Sequence, residues 1–147
     1  MPTVSVQIEN FDIGAALAAI TAGRPRVGGV GSFVGLVRQE PSLISLTIEH
    51  YPGMTERSLH RIADTAMTRW DLIDVTLIHR VGTLLPGDPI VLVLAAATHR
   101  GEALAATEFL IDWLKTDAPF WKMEHLSCGD HWVEPRQTDE TAKNRWG

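Results

Sequence analysis

The chain has 147 residues, 45% hydrophobic and 21% charged, enough for a single domain, 1–147, with a sizeable core. A formal net charge of −5 argues against a general nucleic-acid binder, and no apolar run approaches the ~20 residues that span a bilayer. The single cysteine, Cys128, excludes an internal disulfide framework and any cysteine-rich metal site.

The start, Met1-Pro2-Thr3-Val4, lacks a basic n-region and an apolar h-region, so a cytoplasmic location is expected. Val4, Val6 and Ile8 alternate with Ser5 and Gln7, which predicts a strand. Asp12 is placed to cap a short alanine-rich helix from Ile13 to about Ile20. Val27 to Arg38 has the β-branched content of a strand. Its glycines at 28, 29, 31 and 35 require a bend or a close approach to the backbone, with room for a ligand at the far end near Arg38. After the Gln39-Glu40-Pro41 turn, Leu43 to His50 is expected as a second strand, antiparallel to the previous one.

A helix is predicted over Met54 to Trp70, with Leu59, Ile62, Ala63, Ala66 and Trp70 on one apolar stripe. Val75, Leu77, His79 and Val81 form one face of the next strand, so His79 reads as a core or interface residue. Pro86-Gly87-Asp88-Pro89 is a turn, and Ile90 to Ala97 is a central strand buried on both faces. A long helix ends at Lys115. Met123 to Leu126 and His131 to Val133 are expected as short strands, and Asp139 to Trp146 as a terminal helix or tail. The order β-α-β-β-α-β-β-α-β-β is that of an α+β domain, a mainly antiparallel sheet covered by helices.

The chemistry concentrates at Leu114-Lys115-Thr116-Asp117-Ala118-Pro119-Phe120-Trp121-Lys122-Met123-Glu124. Pro119 cannot continue the helix and biases Ala118 away from the α region, so the chain turns and brings Lys122 back towards Lys115. Two ammonium groups beside a proline and two aromatics suit a partly dry anion pocket. The plainer alternative is a lysine favoured by the helix dipole and aromatics filling core. At the other end of the helix, Thr98-His99-Arg100 sets basic residues where the dipole disfavours them, which makes sense around an anion; a surface arginine paired with Glu102 is the alternative. Arg38 and Arg136 are further candidate cations. No His-x-x-x-His, Gly-x-Ser-x-Gly or phosphate-loop pattern occurs, and neither a metal nor a cofactor is expected.

Several segments resemble the large, catalytic subunit of molybdopterin synthase, the MoaE family. They are Glu49-His50-Tyr51-Pro52-Gly53-Met54-Thr55, Ile78-His79-Arg80-Val81-Gly82, Leu85-Pro86-Gly87-Asp88, Thr98-His99-Arg100, Leu114 to Lys122, and Trp132-Val133-Glu134, in family order across about Gly28 to Arg136. The resemblance implies an α/β hammerhead-type fold. It also implies a homodimer with a small ubiquitin-like subunit docked at each end, a heterotetramer. The small subunit's C-terminal Gly-Gly tail would carry a thiocarboxylate into the pocket. Two sulfur transfers would then convert cyclic pyranopterin monophosphate (precursor Z) into the dithiolene of molybdopterin, a step of molybdenum cofactor biosynthesis. The family's pocket lysines match Lys115 and Lys122, its anion-binding residues match Arg38, His99, Arg100 and Arg136, and its pocket phenylalanine matches Phe33. One departure is the loop after Arg38: Gln39-Glu40-Pro41-Ser42 is shorter than is common in the family and lacks its His-Asn and glycine.

The residues suit that chemistry. A cyclic phosphate and a thiocarboxylate are both anions, and bringing them together needs cations. The sulfur would arrive on the partner, leaving Cys128 without a required part. A non-catalytic α+β module that binds an anionic metabolite or a partner's C-terminal tail would use the same arginines without needing both lysines. The long helix adds a geometric expectation. From Arg100 to Lys115 it is on the order of 22 Å long, so one small substrate can use both ends only if two chains share a pocket.

Overall fold

The computed structural model describes residues 2–133 and 137–146. The elements in chain order are β1 (Thr3–Gln7), α1 (Ile13–Thr21), β2 (Gly29–Leu36), β3 (Leu43–His50), α2 (Met54–Trp70), β4 (Asp74–Arg80), β5 (Gly82–Leu84), β6 (Pro89–Ala97), α3 (Arg100–Thr116), β7 (Phe120–Leu126), β8 (Gly129–Val133) and α4 (Gln137–Asn144). They form two four-stranded sheets, β1-β4-β6-β2 and β5-β3-β7-β8. Among the described residues only the β1–β4 pair is parallel; the other pairs are antiparallel. The α+β expectation therefore holds.

The first sheet is buried on both faces because β6 is apolar at nearly every position. Val91, Val93, Ala95 and Ala97 point into the main core, with Leu59 and Ala63 of α2 and Leu110 and Leu114 of α3. Leu92, Leu94 and Ala96 alternate to the other side, over Ile20 of α1. The glycines of β2 serve two ends: Gly31 lets a helix pack on the strand, and Gly35 lines the cavity near Arg38. A Cβ at Gly31 would lie 2.3 Å from Thr107 Oγ1 and 2.5 Å from the Ala103 carbonyl oxygen, so α3 rests directly on that strand. The Gly28 position is filled by the Thr98 carbonyl in the same way.

Two expectations about the strands are corrected. β2 and β3 do not pair, because the Gln39–Ser42 segment carries the chain from the first sheet to the second, where β3 lies between β5 and β7. A second crossing occurs at Val81-Gly82. The buried Val81 still donates its N–H to Gln7 O at 2.9 Å, and Gly82, at φ +91°, releases the chain into the short strand β5. The sequence reading has no element there.

At the C-terminal end, Trp146 packs edge-on against Trp70 and Phe109, and its indole N–H donates to Asp112 Oδ2 at 2.6 Å. Lys143 pairs with Asp117 at 3.3 Å and Arg145 with Glu108 at 3.0 Å. These contacts dock α4 along α3.

Candidate functional site

α3 ends where the sequence predicts. Its last turn carries Lys115, and the Asp117 N–H closes the helix on Trp113 O at 2.8 Å. The chain then turns through Ala118-Pro119, with the Phe120 N–H reaching back to Ala118 O at 2.8 Å, and enters β7. Side chains alternate along β7, so Phe120, Lys122 and Glu124 face inward, while Trp121 is exposed and packs at 5.6 Å against Tyr51. The pocket aromatic from this stretch is therefore Phe120; Trp121, expected beside it, faces away.

A cavity of about 440 Å³ opens at this junction, a size suited to a small ligand. β2 and its extension contribute Phe33 and Arg38, α3 contributes Leu114 and Lys115, β7 contributes Phe120 and Lys122, and α4 adds Asp139. The lysine on a helix end and the lysine on a strand thus share one cavity with Arg38 and Phe33. The Arg38 guanidinium is held at 2.8 Å by Glu40, its neighbour in the shortened loop and itself part of the wall.

The electrostatics follow from burial and crowding. Lys122 is half-buried. Desolvation first, and the Lys115 ammonium second, push its pKa down from 10.5 to about 8, against an opposing pull from Asp139. Behind it lies His79, buried and stacked on Phe120 with ring centroids 3.8 Å apart and planes 17° from parallel. Burial, then Lys122, push the imidazole from 6.5 down to about 3, so it stays neutral at ordinary pH.

The remaining candidates lie elsewhere. His99 caps the N-terminal end of α3 in extended backbone and Arg100 opens the helix; both are exposed and neither lines the cavity. Arg136 lies outside the described residues. Cys128 is exposed in the β7–β8 turn, away from the cavity lining. Among the described residues no group of three or more His, Cys, Asp or Glu is arranged to hold a metal ion, and no helix is long and apolar enough to cross a membrane.

Residues 6–117 match the family model described as MoaE protein. The chain belongs to the MoaE family. The molybdopterin synthase catalytic subunit of Ralstonia nicotianae is 57% identical over 150 residues, covering 100% of this chain and 85% of that one. Among solved structures, the molybdopterin biosynthesis MoaE protein from Burkholderia ambifaria superposes with a TM-score of 0.88 at 49% identity, covering 100% of this chain and 99% of that one. Molybdopterin synthase from Staphylococcus aureus gives a TM-score of 0.80 at 28% identity, covering 87% and 94%. Lys115 lies inside the matched segment and Lys122 just beyond it, while the Ralstonia relative spans this whole chain.

Other residues at the site have no role assigned from the sequence. Glu40, Glu124 and Asp139 line the cavity, and His79, expected as a core or interface residue, backs Phe120. The only local signal was the place of Glu124, two residues after Lys122 on the same strand face.

Proposed function

We propose that this chain is the catalytic subunit of a molybdopterin synthase, moving sulfur from the thiocarboxylated tail of a small ubiquitin-like subunit to cyclic pyranopterin monophosphate. The observation that carries the reading is the meeting of Lys115, Lys122 and Arg38 in one half-closed cavity walled by Phe33 and Phe120. These cations share the wall with Glu40, Glu124 and Asp139, and Lys115 still lowers the pKa of Lys122, so an anion seated between the two lysines relieves their repulsion. Family membership supports the same reading, and a cytoplasmic place of action goes with it.

The lysines divide the work by environment. Lys115, exposed on the last helical turn, meets the entering tail. Lys122, at about 8, is roughly nine-tenths protonated at pH 7 and sits near enough to its midpoint to exchange a proton. As an ammonium it stabilises the negative charge that develops as the thiocarboxylate sulfur adds to the substrate. Addition leaves the tail joined to the pterin as a thioester. Water then attacks the acyl carbon and the carbon–sulfur bond breaks. The small subunit departs as a carboxylate with the water oxygen, the sulfur stays on the pterin as a thiol, and a second charged tail brings the second sulfur.

The dimer belongs to the same proposal. α3 is 17 residues, about 25 Å, and His99 and Arg100 are exposed at its far end. A second copy related by a two-fold axis brings those cations to the first copy's lysines, and Arg136 is assigned to the same shared pocket.

The test combines the purified chain with precursor Z and a thiocarboxylated small subunit. Formation of molybdopterin is expected. Binding of the tail or the pterin without product would overturn the catalytic reading in favour of a binding module.

A further inference from the structure

Thr55 is buried without any exposed surface, in the first turn of α2. Its hydroxyl works in two directions. It accepts the Tyr51 N–H at 2.9 Å, where β3 has just ended, and it donates to the Pro119 carbonyl at 3.1 Å, 64 residues away in sequence. Its own N–H bonds to Tyr51 O at 2.9 Å. The helix start is separately tied down, with the Gly53 N–H on Glu56 Oε1 at 2.8 Å and Gly53 at φ +86°. One more hydroxyl is not needed to begin this helix, and its reach to Pro119 calls for another explanation.

Pro119 is the residue between the two lysines. Its nitrogen has no hydrogen to give, and the following N–H, that of Phe120, is spent inside the turn on Ala118 O. The Pro119 carbonyl is therefore the polar handle by which the core grips this turn, and Thr55 holds it. One residue on, the Phe120 ring lies flat on His79, a residue of the other sheet. Two residues further, on the same strand face, is Lys122. The entry to β7 is thus fixed at two consecutive residues, by a buried hydroxyl from α2 and a buried ring from β4.

We propose that Thr55 and His79 are positioning residues for Lys122, Thr55 by fixing the Pro119 carbonyl and His79 by seating the Phe120 ring, so that together they set the gap between Lys122 and Lys115 across the cavity. Neither touches the reacting atoms. The inference rests on the sulfur-transfer reading for its meaning, but its geometry is open to test without any turnover. The charges that act on Lys122 are Lys115 from α3 and Asp139 from α4; Glu124 lies two residues on along the same face of β7, and the neutral His79 of β4, with His50 of β3 near it, lies behind Phe120. A slackened turn changes the distance of Lys122 from each and lets water reach it.

The experiment compares the wild type with Thr55→Val, Thr55→Ser and His79→Leu. Lys122 is titrated by pH-dependent acylation read by mass spectrometry, and turnover is measured on the same folded samples with the thiocarboxylated partner. In Thr55→Val the labelling midpoint should move up from about 8 towards 10.5, and turnover should fall about tenfold or more, because small displacements of reacting groups are costly. Thr55→Ser keeps the hydroxyl and should restore both readouts, which a loss of packing alone would not explain. If Thr55→Val does not fold, Thr55→Ala takes its place. An unmoved midpoint in both the Thr55 variant and His79→Leu overturns the positioning role, whatever turnover does. A moved midpoint with full turnover upholds the positioning and overturns the part given to Lys122 in sulfur transfer, so the two failures are distinct.

Discussion

Acid should weaken this fold through His79, and the size of the effect follows from its surroundings. The side chain is only 4% exposed, its ring lies on Phe120, and its Nδ1 is 2.8 Å from Arg80 O. Desolvation, with Lys122 next, lowers its pKa from 6.5 to about 3. The unfolded chain takes up a proton near 6.5, whereas the native state resists until about 3. The contribution of neutral His79 is therefore fully present above pH 6.5 and is lost progressively as pH falls towards 3. At pH 5, one and a half pH units into that window, the loss is about 2 kcal/mol, at 1.36 kcal/mol per unit. For a chain of this length that lowers Tm by about 4–8 °C. The assay is thermal melting at pH 8, 6.5 and 5 for the wild type and for His79→Phe, which keeps a flat ring against Phe120 but cannot take a proton. The phenylalanine variant should melt with its own offset at pH 8, then lose about 4–8 °C less than the wild type on going to pH 5. Carboxylates that titrate in the same range are common to both proteins and cancel. Equal losses in the two would refute the claim that a neutral buried imidazole underlies the site.

Lys115→Ala and Lys122→Ala should each reduce sulfur transfer by about 100-fold or more, with melting close to that of the wild type; near-normal product formation by both variants would remove the proposed site. Cys128→Ala should retain most of its activity, since the thiol is exposed and outside the cavity lining; a folded but inactive variant in the coupled assay would put the sulfur on this chain instead. Mixing inactive Lys115→Ala with inactive Arg100→Ala after dissociation and reassociation should restore one working pocket of two in each mixed dimer. No recovery, with exchange confirmed by mass, would place all the required cations within one chain.

Elements with a long, clean period were legible in the sequence. The apolar stripe from Leu59 to Trp70 predicts a helix over Met54 to Trp70, and α2 has those bounds. The unbroken run from Ile90 marks β6 as the centre of its sheet, and Pro119 marks the end of α3 within three residues. What a period does not encode is the neighbour. The alternation in β2 and β3 says strand at both places, but the decision to pair or to part is made by the short Gln39–Ser42 loop and by β7, which comes some seventy residues later to fill the place beside β3. β5, three residues long, is too short for any pattern. The glycines at 28, 31 and 35 announced a close approach without naming what approaches, which is the Thr98 carbonyl at Gly28, Thr107 and Ala103 of α3 at Gly31, and the Val91 side chain at Gly35. The same limit applies to the site. Lys115 and Lys122 could be picked out because a proline lies between them in the chain. Thr55 and His79 meet that turn only in three dimensions, and in the sequence they read as a helix-start threonine and a core histidine.

The two sheets explain how the cavity can hold like charges at close quarters. Lys115 stands on a helix whose buried face carries Leu110 and Leu114, and Lys122 on a strand paired on both sides, with β3 and β8. Arg38 follows Val37, the residue after β2, whose N–H is bonded to Asp88 O at 2.9 Å. Each cation is attached to an element whose position is set by core packing rather than by the charges themselves. Against the pull of Asp139, Lys122, the more buried of the two lysines, accordingly has its pKa lowered first by desolvation and second by the Lys115 ammonium. An anion entering the cavity reverses that term, since it favours the ammonium that burial and Lys115 disfavour. The binding energy of a charged tail or phosphate is thereby drawn partly from the repulsion between the two lysines in the empty pocket.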